Sequence, residues 1–121
     1  MKERRVYPRI TSDWPLFLGS EKSKKRIGYV KNISLSGALI FFSEDYKLNP
    51  KRHRFTMILR NKQLTPSELT ISGLKEWTHV KEKEIMLGLL LEKVEKEKRA
   101  NFIRFLSRSD KLHVEVFLVE E

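Results

Sequence analysis

Short apolar stretches broken by polar turns recur along most of this chain and limit what it can fold into. WPLFL (Trp14 to Leu18), IGYVKNIS, ALIFF, FTMILR, the span Leu69 to Val80, IMLGLLLEKV and LHVEVFLV follow one another at short spacing. Many alternate apolar and polar residues, the period of a strand with one buried face. Pro15 marks a strand start or an edge, and Gly73 and Gly88 mark bends or bulges. Lys81 to Lys83 reads as a hairpin tip. The period changes only once. From Glu95 to Arg108, Arg99, Phe102, Ile103, Phe105 and Leu106 recur at helical offsets. Acidic residues fill the first turn of that helix, and Arg104 and Arg108 the last, which suits its dipole.

Six or seven strands with short turns imply an antiparallel sheet. In a small chain that sheet most cheaply closes into a barrel, which removes its edges. With 121 residues, one domain is expected: an arm over 1–9, a barrel over 10–94, a helix over 95–108 and an extra strand over 111–121. That last strand either extends the sheet or pairs with a second copy; a monomer is the expected state. The helix stripe is read as barrel packing, as are the aromatics of ALIFF.

Composition narrows the function. There is no cysteine, and His53, His79 and His113 stand far apart, so neither disulfides nor a metal site is expected. No apolar run reaches the roughly 20 residues of a membrane span, and no secretory leader is present, so a cytoplasmic location is expected. No glycine-rich phosphate loop, HExxH or GxSxG motif occurs, so neither catalytic residues nor a cofactor is expected. The net charge of +9 favours an anionic partner. The KRHR cluster, Lys51 to Arg54, reads as a solvated loop.

Two motifs sharpen that expectation. The arm reads ERRVYPR, with Arg4, Arg5 and Arg9 around a Tyr-Pro pair. Pro8 holds Tyr7 extended, so the arm is not helical. Guanidinium gives bidentate hydrogen bonds to phosphate and to the O6/N7 edge of guanine, and it stacks on bases where lysine does not. Between two strands lies NISLSG, with Asn32, Ser34 and Gly37. Alone it reads as a hairpin turn with an Asx bond.

The ordered pair, RVYPR and then NISLSG, resembles the RxxxR and [D/N]xSxxG signature of the PilZ domain family, with no departure at a signature position. The resemblance covers roughly residues 3–108. It implies a six-stranded antiparallel barrel that binds cyclic di-GMP, a bacterial second messenger. Arg5 and Arg9 would then clamp the ligand, with Asn32 and Ser34 on a guanine edge and Gly37 keeping the turn clear. Arm ordering would be the switch, acting on an unidentified effector protein. Arg4 either engages a second ligand molecule in a stacked dimer or is a solvated arm charge. Trp77 either faces the ligand or belongs to the barrel core, where large aromatics mostly reside.

Two alternatives remain open. A basic β-barrel could bind single-stranded nucleic acid, although the basic interleaving that base stacking needs is missing here. A PilZ-like domain could also act as a protein-interaction module without the ligand.

Overall fold

The computed structural model describes residues 10–19, 25–43, 53–63, 67–92, 96–107 and 113–120. Seven strands and one helix follow in order: β1 (Ile10–Leu18), β2 (Arg26–Ile33), β3 (Gly37–Ser43), β4 (Arg54–Arg60), β5 (Glu68–Lys81), β6 (Glu84–Leu91), α1 (Lys96–Ser107) and β7 (Glu115–Glu120). They close into a barrel in the order β1-β2-β3-β6-β5-β4-β7.

The chain forms the expected barrel with one helix and an extra terminal strand, and that extra strand enters the wall as a seventh. The last strand is neither an appendage nor an edge for a second copy. It lies between β1 and β4, parallel to the first and antiparallel to the second. Its sequence explains the position. Val116 and Leu118 are buried in the core cluster, while Phe117 turns outward and is also buried. Phe117 stacks on Phe17 at 5.3 Å, and the Arg60 guanidinium lies 4.8 Å from its ring. A strand apolar on both faces needs cover on both: the core covers Val116 and Leu118, and Phe17 and Arg60 cover Phe117.

Alternation sets the core. Leu16, Val30, Ile40, Met57, Leu59 and Leu87 point inward and are at most 1% exposed. Helix α1 adds Phe102, Phe105 and Leu106 to the same cluster. It joins the end of β6 to the start of β7, which fall at the same end of the barrel, so its apolar stripe closes that end. Ile103, expected in the stripe, is 47% exposed and faces away. At that same end Asn61 is buried. Its Nδ2 donates to the His113 carbonyl at 2.6 Å and its Oδ1 accepts from the Gln63 N–H at 2.7 Å, tying the β4–β5 turn to β7.

The glycines differ from expectation. Gly73 sits in regular register opposite Phe55 and Leu91. The irregularity in β5 falls later, between Lys75 and Trp77. Gly88 does not break β6, which runs through it unbroken.

Candidate functional site

The NISLSG segment joins β2 to β3. Ser34 is 2% exposed, and its hydroxyl oxygen accepts hydrogen bonds from the Ser36 and Gly37 N–H groups, both at 3.2 Å. The Ser34 N–H donates to the Gly37 carbonyl at 2.8 Å. The Leu91 N–H in turn donates to the Ser36 carbonyl at 2.9 Å, pinning the turn to β6. Ser34 therefore holds the turn from inside instead of reaching outward. Gly37 has no positive φ. Its reason for being glycine is proximity: a Cβ there would stand 3.2 Å from the Leu89 carbonyl oxygen of β6.

Asn32 precedes the turn, at the irregularity between Val30 and Asn32 where β2 bulges against β3. The bulge gives Asn32 the same side of the sheet as Leu39, the outer one. Its side chain is half-buried, and Oδ1 is buried without any hydrogen-bond partner. Buried polar atoms in folded proteins nearly always have a partner, so an orphan acceptor on an outer face marks a place where a donor belongs. The other such atom among the described residues, Trp14 Nε1, belongs to a side chain of the core cluster.

Pairing registers show what lies beside Asn32. It pairs with Leu39, Leu39 with Gly88, and Gly88 with Trp77. On the other side Asn32 pairs with Thr11 of β1. One transverse row thus crosses five strands, with Asn32, Leu39, Gly88 and Trp77 on its outer surface. Neighbouring strands stand about 4.8 Å apart, so Asn32 and Gly88 are separated by roughly 10 Å. The Trp77 ring lies over Gly88, and a Cβ on that glycine would collide with ring atoms Cε2 and Nε1. Trp77 is 42% exposed, which overturns the reading of a core tryptophan. Leu90, one row away opposite Gly37, is 48% exposed. Phe41, read as core, faces outward too and stacks on Tyr29 at 5.3 Å.

Asn32 and Gly37 thus meet at one end of the outer face, with Ser34 holding their turn from inside, and Trp77 completes the row. Leu39, Gly88 and Leu90 were not anticipated. Their signal was available: ALIFF and IMLGLLL are apolar at consecutive positions, so both faces of β3 and β6 carry apolar side chains. Arg4, Arg5 and Arg9 lie outside the described residues, as do Lys51 and Arg52 of the KRHR cluster. β1 begins at Ile10, which pairs with Ile33 beside the Asn32 turn.

A cleft of about 630 Å³ lies further along the same sheets, lined among others by Tyr29, Phe41, Lys81, Glu82, Lys83 and Glu84. Two lysines and two glutamates line it, so its charge selects no anion. Burial, then Glu84 and Asp13, raise the pKa of Tyr29. No group of histidine, aspartate and glutamate among the described residues is arranged to hold a metal ion. No helix among them is long and apolar enough to cross a membrane. No protein-family model, no curated protein and no solved structure matches the chain.

Proposed function

We propose that this chain is a PilZ-type cyclic di-GMP receptor, a cytoplasmic binding module without catalytic activity. The observation that carries this reading is the orphan Oδ1 of Asn32 on an outer face, next to the point where the arginine arm joins the barrel. Guanine offers N–H donors on its Watson–Crick edge, including the N2 amino group, and one of these would satisfy that acceptor once the Asn32 amide turns its covered oxygen to the surface. Arg5 and Arg9 would take phosphate and the guanine O6/N7 edge, both anion- or acceptor-rich. Ser34 acts one step back in this reading, by fixing the turn that carries Asn32 and Gly37. Trp77 and Leu39 supply apolar surface for a base face.

Ligand binding would draw the arm onto the barrel and change the surface offered to an effector protein, an order–disorder switch. Calorimetric titration with cyclic di-GMP tests this. Saturable heat is expected, and Arg5→Ala or Arg9→Ala should each lose about 1.5–3 kcal/mol of binding, as for hydrogen bonds to charged groups. Arg4→Ala reads stoichiometry: a fall from two ligands to one supports a stacked dimer, and an unchanged ratio removes it. A flat trace from folded native protein would overturn the receptor reading and favour a ligand-free interaction module.

A further inference from the structure

The barrel is closed, yet one strand outruns its neighbour. β4 pairs with β5 only from Glu68 to Leu74. β5 continues to Lys81, and from Trp77 to Lys81 its ladder partners lie on β6 alone. The last tie on the β4 side is the Lys75 N–H, which donates to the His53 carbonyl at 2.7 Å. Beyond it, among the described residues, the other edge of β5 carries peptide groups with no ladder. Glu76 to Lys81 are all exposed. Side chains at this overhang are apolar on both sides: Trp77 is 42% exposed on the outer face and Val80 59% on the inner.

Natural sheets usually blunt such an edge with charge, proline or a bulge. Here Glu76 and Lys81 bracket four residues, Trp77 to Val80, that carry no proline, lysine or carboxylate. The bulge and the charges thus fall at the ends of this stretch, and the residues between them, Trp77 to Val80, can accept an extended strand through main-chain hydrogen bonds.

We propose that this edge pairs antiparallel with the same edge of a second copy, making a two-fold dimer through β5. The geometry restricts the register. A two-fold axis normal to the sheet keeps outer faces outer, and side chains alternate along a strand. Only registers pairing residues of like parity are therefore allowed. One of them sets Trp77 opposite the partner's Lys81, twice, an ammonium over an indole face. It also sets Thr78 opposite the partner's Val80, and His79 on the axis opposite itself. In that register Glu76 would meet the partner's Glu82, but Glu82 lies past the strand, in the turn at φ 57°. The neighbouring register centred on Thr78 would set Lys81 against the partner's Lys75, but that edge position is taken by the His53 carbonyl, and the bulge turns the Lys75 side chain to the other face. Charge and apolar matching thus favour a second copy, and favour His79 at its centre. The dimer would replace the monomer expected from the sequence.

The test is the mass of the full-length protein by sedimentation across a wide concentration range, without ligand. A reversible monomer–dimer equilibrium is expected, and Val80→Lys should abolish it while leaving the circular dichroism and melting temperature unchanged. The chain has no cysteine, so a single one is a clean probe. His79→Cys should give a disulfide-linked dimer under mild oxidation, and Thr78→Cys much less of it. A native protein that stays monomeric throughout overturns the proposal. So does a dimer that survives Val80→Lys, or cross-linking no greater at 79 than at 78. None of these readouts involves cyclic di-GMP, so the proposal stands or falls separately from the receptor reading.

Discussion

Gly88 has a role that only its neighbour across the ladder explains. It leaves room for the Trp77 indole to lie flat on the sheet, and any side chain would push the ring away. Gly88→Ala should therefore shift the emission of the exposed tryptophan, with Trp77→Phe as the reference that removes it. As an overpacked contact it should cost about 1–3 kcal/mol, less if the ring swings freely into solvent. Ser34 is constrained from the other direction. Ser34→Ala strands two turn N–H groups and should cost about 1–3 kcal/mol in denaturant titration. Tyr29 carries a pH signature. Its folded pKa lies above the ordinary value of about 10, so the folded state holds the phenol proton more tightly than the unfolded. That contribution is intact below the unfolded pKa and is lost as pH rises through the folded one. Tyr29→Phe should flatten that part of the alkaline fall in the urea midpoint.

At the scale of elements, α1 is tied to the barrel by three side chains. Phe105→Ala opens a cavity under the helix and should cost about 3–5 kcal/mol by thermal or urea unfolding. Ile103→Ala, one turn face away and 47% exposed, should cost little. The contrast shows what periodicity resolves. Phe102 and Ile103 are adjacent and equally apolar, so the pattern finds the helix and blurs its face. Strand positions were legible because polar turns punctuate the alternation, and β2 to β6 fall within a residue or so of the sequence reading at most ends. Closure was not legible in detail. β7 looked like an addition because nothing local tells a strand that it will lie parallel to the first one. The site divides similarly. The Asn32 turn was visible as a motif, but its transverse row with Leu39, Gly88 and Trp77 arises from register between strands far apart in sequence. A bulge at Lys31 and Asn32 decides which way Asn32 faces, and a single sequence holds no clear sign of it.

For the whole molecule, the parallel pairing of β1 with β7 fixes a direction. Both strands run the same way, so the chain enters the barrel beside the Asn32 turn and leaves β7 at the opposite end. Ile10 and Glu120 therefore lie at different poles. A dye attached to the arm should respond to cyclic di-GMP under the receptor reading, while one attached after β7 should stay silent, and fluorescence titration of the two labelled forms checks this. The same polarity has a practical side. A surface or a reporter coupled after Glu120 holds the barrel by its far pole, leaving the Asn32 turn toward whatever flows past it.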